Sequence, residues 1–128
     1  MMKTLNADLR YAASKAARIL TVFQEVTHSP TMGIDEALTF LKVAEHDSEG
    51  ITQTEIKKAL GFTLASANRY VLSLSTQTKG DRSGNPGHGL IAVIPDPDDR
   101  RREPYCLTSE GCELLAQISK VLQTTPKG

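Results

Sequence analysis

The residues best suited to binding chemistry form a run of three arginines, Arg100 to Arg102, directly after the segment Asp96-Pro97-Asp98-Asp99. Proline and aspartate favour a tight turn, and the apolar run Leu90 to Ile94 that precedes them is typical of a β-strand. An arginine-rich hairpin tip exposed to solvent is placed to reach the phosphate backbone of a nucleic acid. The same run is also typical of an ordinary solvated loop, so the elements around it must decide between these two interpretations.

Composition narrows the class of protein. The chain has 128 residues, of which 39% are hydrophobic and 23% are charged, and this favours a single globular domain over residues 1–128. The formal net charge is zero, so any binding to a nucleic acid must depend on local clusters of charge. No apolar run reaches the ~18 to 20 residues of a membrane span and no secretory signal opens the chain, so we expect a cytoplasmic protein without a membrane partner.

The sequence contains no recognisable catalytic or metal-binding constellation. His28, His46 and His88 stand apart from any group of acids or thiols, and the two cysteines, Cys106 and Cys112, lack metal-ligand spacing. We therefore expect no enzymatic activity, no metal and no cofactor. For Cys106 we predict a buried structural role, with redox sensing as the alternative.

Apolar spacing predicts helices on both sides of the strand. Apolar residues recur at alternating intervals of four and three from Leu5 to Val26, so the helix over 5–27 is predicted to pack into a bundle or across a dimer axis. A second helix is predicted from Ile34 to about Ala44. Thr108 is predicted to cap a last helix over 109–123.

A helix-turn-helix motif is predicted in the middle of the chain. Thr52 and Glu55 form a capping box, which starts a helix of about two turns that ends at Gly61. Thr63 is the N-cap of the next helix, over 64–74. A helical hairpin without any binding role is the alternative interpretation.

The outer face of the helix over 64–74 suits a DNA groove. Helical periodicity places Ala65, Arg69 and Ser73 opposite the apolar stripe, with Ser66 near the same edge. Small residues around one arginine let a helix lie deep in a major groove. By the same periodicity, Asn68 lies closer to the buried stripe than Arg69 does.

These elements, in this order, resemble the winged-helix transcription factors of the MarR (multiple antibiotic resistance regulator) family. One stretch, Ile51 to Arg69, is similar to the family segment that ends in Ser/Thr-x-x-x-Arg. The other, Gly89 to Gly111, looks like the family's Asp-Arg-Arg wing followed by Leu-Thr-x-x-Gly. The resemblance implies a mainly α fold with a small β-hairpin (α+β), in which a winged helix-turn-helix over 34–107 lies between N-terminal (5–27) and C-terminal (109–123) dimerisation helices.

The resemblance also implies a function, namely sequence-specific binding of double-stranded DNA by a homodimeric transcriptional regulator. The recognition helix 64–74 is expected in the major groove and the wing 95–104 in the minor groove. There Asp99 orients Arg101, while Arg100 and Arg102 contact phosphates. The full set of predicted DNA-binding residues is Thr63, Ala65, Ser66, Asn68, Arg69, Ser73, Arg100, Arg101 and Arg102.

The chain departs from the family pattern in three places. The loop 75–89 is long, Pro104 lies where the second wing strand should run, and the C-terminal part has one helix where the family commonly has two. Many family members respond to small aromatic ligands or oxidants, but no residue here identifies an effector. Because the net charge is zero, a winged helix that docks proteins, or that assists replication or recombination, remains the alternative function.

Overall fold

The computed structural model describes residues 6–29, 32–46, 48–75, 87–94, 96–99 and 101–123. None of the helices in these ranges is long and apolar enough to cross a membrane. The described residues form helices α1 (Ala7–Thr27), α2 (Ile34–Glu45), α3 (Gln53–Leu60) and α4 (Leu64–Leu74), strands β1 (Ile91–Val93) and β2 (Tyr105–Leu107), and helix α5 (Ser109–Gln123).

Side-chain caps fix where α3 and α4 begin. The predicted capping box is present, because the Thr52 hydroxyl oxygen accepts from the Glu55 amide at 3.2 Å and the Glu55 carboxylate accepts from the Thr52 amide at 3.1 Å. The Thr63 hydroxyl oxygen accepts from the Ser66 amide at 3.1 Å. Gly61 ends α3 with a φ of 71°, a left-handed conformation that glycine adopts without strain. The predicted helix-turn-helix is therefore confirmed.

The hairpin of β1 and β2 is antiparallel, with Ile91 opposite Leu107 and Val93 opposite Tyr105. Ile51, which the sequence does not mark as a strand residue, extends this sheet by an antiparallel bridge. The Tyr105 amide donates to the Ile51 carbonyl at 2.8 Å, and the Ile51 amide donates back at 3.2 Å. The residues that precede α3 are thereby joined to the base of the hairpin.

Pro104 lies immediately before β2, where its missing N–H removes no hydrogen bond from the ladder. Its carbonyl accepts from the Ile94 amide at 2.8 Å, which continues the hairpin beyond the strands. Gly50, with a φ of 79°, passes so close that an added Cβ would lie 2.6 Å from the Pro104 Cβ. The chain therefore needs glycine at position 50 on steric and on conformational grounds.

The hydrophobic core lies where the N-terminal helices meet α4, α5 and the hairpin. The Phe23 and Phe40 rings pack edge to face with their centroids 5.4 Å apart. Leu74 from α4, Ile91 from β1 and Leu114 from α5 are all fully buried beside them. Each Å² of apolar surface buried stabilises the folded state by roughly 25 cal/mol. Because α4, β1 and α5 all contribute side chains to this core, it holds α4 and the hairpin together.

The apolar seam predicted along α1 divides into two parts. Near the C-terminal end of the helix, Phe23 is buried and Ile19 packs against the core. Nearer the N-terminal end, Leu9 remains 53% exposed, and Ala12 and Ala16 are also exposed. One part of the seam thus packs within the chain, and the other is available at the surface.

The loop predicted over 75–89 falls largely outside the described residues, so its length and role stay predictions. Its last residues return beside the end of α4. The His88 amide donates to the Ser73 carbonyl at 2.9 Å, and the Leu90 amide donates to the Leu74 carbonyl at 2.8 Å. Strand β1 therefore starts directly beside the C-terminal end of α4.

Candidate nucleic-acid interface

Helix α4 is anchored through a single apolar face. Ala67, Val71 and Leu74 are fully buried, as periodicity predicts. Helical periodicity puts Leu64 on the same stripe, three residues before Ala67, but Leu64 is 53% exposed. The first residue of α4 therefore lies outside the core, which begins at Ala67.

The exposed face of α4 carries most of the predicted DNA-binding residues. Thr63, Ala65, Asn68 and Arg69 are exposed, and Ser66 is half-buried. Asn68 is more accessible than its position on the helical wheel predicts, so its amide group is free of the core. All five lie at the N-terminal end of the helix, which is the end that contacts base edges when a recognition helix enters a major groove.

Ser73 does not share this exposed face. The sequence predicts an outward position, but the side chain is half-buried and its hydroxyl donates to the Glu36 carboxylate of α2 at 3.0 Å. The C-terminal part of α4 packs against α2, and this packing turns Ser73 towards its own subunit.

A chain of two hydrogen bonds links Arg69 to α2. Its guanidinium lies 5.1 Å from the centroid of the Tyr70 ring and donates to the Tyr70 hydroxyl at 3.2 Å. The Tyr70 hydroxyl in turn donates to the Asp35 carboxylate at 3.1 Å, and the Phe62 ring packs on Tyr70 at 5.3 Å. The head of the exposed arginine is therefore directed by an aromatic ring and a second helix.

Aspartates shape the tip of the wing through the backbone. The Asp96 carboxylate accepts from the Asp98 amide at 2.9 Å, and the Asp99 carboxylate accepts from the Arg101 amide at 3.0 Å. Each of these bonds spans two residues, which is the Asx-turn geometry. The Asp99 carbonyl also accepts from the Arg102 amide at 3.1 Å, so Asp99 bonds to the main chain of both described arginines.

Asp99 therefore acts on Arg101 through the main chain. The resemblance implies that Asp99 orients this arginine, and its hydrogen bond to the Arg101 amide is one means of doing so. The Arg101 side chain is exposed and makes no ion pair with any residue that the structure describes. Its charge is free to meet an external anion.

Arg102 differs from Arg101. Its guanidinium lies 3.3 Å from the Glu55 carboxylate of α3 and 3.8 Å from the Asp96 carboxylate of the wing. The sequence analysis predicts that Arg102 contacts a DNA phosphate, whereas in the structure its guanidinium pairs with carboxylates of the protein itself. Arg100, also assigned to a phosphate, lies outside the described residues.

A polar notch of about 400 Å³ separates the wing from the start of α3. Arg101 and Glu103 line its wing side, and Gln53 and Thr54 line its helix side. Sequence reasoning missed Gln53 and Thr54, although they lie inside the capping box that it identified. Two polar side chains thus accompany the arginine that is predicted to contact DNA.

Hydrogen bonding lowers the pKa of Glu55 from its ordinary value of 4.5. The largest cause is the hydrogen bond from the Thr52 hydroxyl, followed by the bond from the Thr52 amide and by the positive charge of Arg102. The Glu55 carboxylate is therefore a stable anion at neutral pH.

In the wing, burial raises the pKa of the Tyr105 hydroxyl, and the nearby charge of Glu103 adds to this effect.

The Leu-Thr-x-x-Gly segment joins the wing to α5. The Thr108 hydroxyl donates to the Gly89 carbonyl at 2.5 Å and accepts from the Gly111 amide at 3.1 Å, so Thr108 caps α5 as predicted. An added Cβ at Gly111 would overlap the Leu90 carbonyl, which explains the glycine at this position. The motif fixes the base of the hairpin.

Neither Cys106 nor Cys112 forms a disulfide within the part of the chain that the structure describes. Cys106 is only 7% exposed, in agreement with its predicted structural role, whereas Cys112 on α5 is exposed. A redox-sensing thiolate has to be accessible, so the burial of Cys106 favours packing over sensing.

Comparison of the amino-acid sequence finds no matching family model and no matching curated protein. Comparison of the fold finds clear matches among solved structures. A complex of S. aureus MepR with DNA has a TM-score of 0.64 and 20% identity over 91% of this chain and 83% of that chain. S. aureus MepR bound to ethidium bromide has a TM-score of 0.58 and 19% identity over 92% and 76% of the two chains. The transcriptional regulator SlyA has a TM-score of 0.55 and 17% identity over 92% and 74%.

These matches establish the fold. MepR and SlyA are MarR-family regulators with a winged helix, and their structures align with most of this chain. The predicted fold class, mainly helical with a small antiparallel hairpin, is therefore confirmed as a MarR-like winged helix.

Proposed function

We propose that this protein is a transcriptional regulator that binds double-stranded DNA sequence-specifically. One observation carries the proposal: a DNA-bound structure, the MepR complex, shares this fold over 91% of the chain. In this proposal α4 enters the major groove and the wing 95–104 enters the adjacent minor groove.

The exposed residues form two groups, one for the major groove of the DNA and one for the minor groove. Arg69 and Asn68 reach base edges in the major groove, where arginine pairs with guanine and asparagine with adenine. Ala65 leaves room for close approach, and Ser66 and the backbone at Thr63 lie near phosphates. Arg101 enters the minor groove, where a narrow groove concentrates negative potential. For Arg100, a phosphate contact remains a proposal from sequence.

We propose in addition that the protein acts as a homodimer. The exposed part of the α1 seam, with Leu9, Ala12 and Ala16, offers an apolar face for a second copy, and Leu20 and Leu122 are exposed near it in the helical pair of α1 and α5. A two-fold axis through this region would present two recognition helices to half-sites about one turn of DNA apart. Sedimentation equilibrium tests this directly, with a stable monomer as the contrary result.

A cytoplasmic location and the absence of enzymatic activity belong to the same proposal. A regulator of transcription acts where the DNA is, and two of the solved structures with this fold are the transcriptional regulator SlyA and a complex of MepR with DNA.

The test is fluorescence anisotropy with labelled DNA from upstream of the protein's own gene and with a scrambled duplex, each at low and near-physiological salt. We expect tight binding to the first duplex only, weakening steeply with salt as counterions are released. Absence of binding at both salt concentrations would instead favour the protein-docking alternative. That alternative draws support from the zero net charge, whereas the DNA-bound relative favours DNA.

A further inference from the structure

The wing contacts the helix-turn-helix through one charged cluster. The Arg102 guanidinium lies between Glu55 of α3, at 3.3 Å, and Asp96 of the wing, at 3.8 Å. Two different nitrogens make these contacts, so the guanidinium joins an element of the motif to the turn that leads into the wing tip. Arginine suits this position because its planar group can meet two carboxylates at once.

We propose that Arg102 is a positioning residue that holds the wing against α3, and that it does not bind a DNA phosphate. The proposal rests on the proposed DNA-binding function for its effect on affinity. Its structural part, the attachment of the wing, holds independently of DNA.

Glu55 is a fixed anchor for this attachment. Its carboxylate accepts from the Thr52 amide at 3.1 Å and from the Thr52 hydroxyl at 2.8 Å. The next residue, Ile56, is fully buried, so the first turn of α3 cannot shift easily. Because the carboxylate is already immobilised, pairing with Arg102 loses less side-chain entropy than an ordinary surface ion pair does.

The charge around Arg102 disfavours a phosphate there. The positive charge of Arg102 faces two carboxylates, so its guanidinium attracts an incoming phosphate less than an unpaired arginine would. Arg101, the neighbouring residue, makes no ion pair within the described residues and has no such competitor. The two arginines therefore have different roles despite their adjacent positions.

Three variants separate positioning from phosphate binding. Glu55→Gln removes the ion pair but keeps the acceptor oxygen that the capping box uses, since glutamine also serves at this position. Glu103→Gln is the matched control, because it removes one exposed carboxylate from the same wing, and Glu103 makes no ion pair with a described residue. Arg102→Gln removes the other partner.

The first measurement uses the protein without DNA. Amide hydrogen exchange at Ile94, whose N–H donates to the Pro104 carbonyl, reports opening of the wing. We expect Glu55→Gln and Arg102→Gln each to accelerate this exchange about two- to fivefold, the range that an ion pair of moderate strength supports. Glu103→Gln should leave it unchanged. Equal exchange in all four proteins would overturn the proposal, whatever the result with DNA.

The second measurement is DNA affinity, where the two roles predict opposite signs for Glu55→Gln. If Arg102 bound phosphate, removal of the nearby carboxylate would strengthen DNA binding, as we expect for Glu103→Gln. If Arg102 positions the wing, Glu55→Gln should lower DNA affinity about two- to fivefold. The double variant, Glu55→Gln with Arg102→Gln, should then bind DNA no more weakly than Arg102→Gln alone. Stronger binding by Glu55→Gln would overturn the positioning role. If the wild-type protein bound no DNA but showed the exchange pattern, the proposed function would fail and the attachment of the wing would stand.

Discussion

Helix α4 and the wing are held in place by different forces. Three fully buried side chains, Ala67, Val71 and Leu74, anchor α4 in the core. The wing tip has no comparable apolar anchor among its described residues 96–99 and 101–103, all of which are exposed or only half-buried. Instead, backbone hydrogen bonds to Asp96 and Asp99 and the ion pair of Arg102 with Glu55 define it.

Under the proposed function, this difference separates two contributions to DNA recognition. Apolar burial responds little to salt or to moderate changes in pH, whereas exposed ion pairs weaken when salt is added or when a partner is protonated. The placement of α4 should therefore persist under conditions that loosen the wing. Variants that disturb one element and leave the other intact test the comparison.

The largest effect is expected from shortening a side chain that anchors α4. Leu74→Ala removes a fully buried side chain and should lower the free energy of unfolding by about 2–5 kcal/mol, measured by urea denaturation. Leu72→Ala, in the same helix but 46% exposed, is the matched control and should change it far less. Equal losses in the two variants would show that burial does not anchor this helix.

Removal of the free arginine of the wing should weaken DNA binding without unfolding the protein. Arg101→Ala is expected to lose about 1–3 kcal/mol of binding free energy by anisotropy, with unchanged stability. Arg18→Ala removes an exposed arginine from α1 and serves as the control. If both variants bind DNA as the wild type does, the wing has no part in recognition.

A smaller loss of DNA affinity is expected when the hydrogen bonds that link Arg69 to Asp35 through Tyr70 are removed. Tyr70→Phe keeps the ring that packs on Phe62 but removes the hydroxyl that links Arg69 to Asp35. The loss in affinity for the specific duplex should be about 0.5–1.5 kcal/mol, the usual contribution of one hydrogen bond. Affinity for a scrambled duplex should hardly change, and an equal loss on both duplexes would contradict a role in sequence reading.

The smallest effect is a pH dependence of the stability that Glu55 contributes, chiefly through its hydrogen bonds from Thr52 and to a lesser extent through Arg102. Because the folded-state pKa of Glu55 lies below its ordinary value of 4.5, the carboxylate stabilises the fold above about pH 4.5. That contribution is lost as the pH falls through the folded-state pKa. The stability difference between wild type and Glu55→Gln, below about 1 kcal/mol at neutral pH because the pair is substantially exposed, should therefore shrink on acidification. A constant difference down to about pH 3 would contradict this linkage.

Local signals predicted the order of elements well. The capping box at Thr52 and Glu55, the glycine at 61 and the cap at Thr63 are contacts within a few residues, so their spacing alone predicts the helix-turn-helix. The Asp and Pro turn after the strand at Leu90 likewise predicted the hairpin. Such features need no knowledge of the rest of the fold.

Contacts between distant residues were the part that sequence patterns missed. Arg102 and Glu55 are 47 positions apart, and Ser73 and Glu36 are 37 apart, so no spacing rule pairs them. Arg102 and Ser73 were predicted to contact DNA from their residue type and position, yet each side chain bonds to a carboxylate of the protein itself. Periodicity gives the face of a helix but not which neighbouring element will cover it.

Dimethyl sulfate protection on the specific duplex tests the central claim most directly, because this reagent methylates guanine N7 in the major groove and adenine N3 in the minor groove. We predict protected N7 positions in two clusters about one helical turn apart, with protected N3 positions beside them. Arg69→Ala should lose the N7 protection and Arg101→Ala the N3 protection. Protection in one groove only, or the same pattern in both variants, would contradict a regulator that reads DNA with helix and wing together.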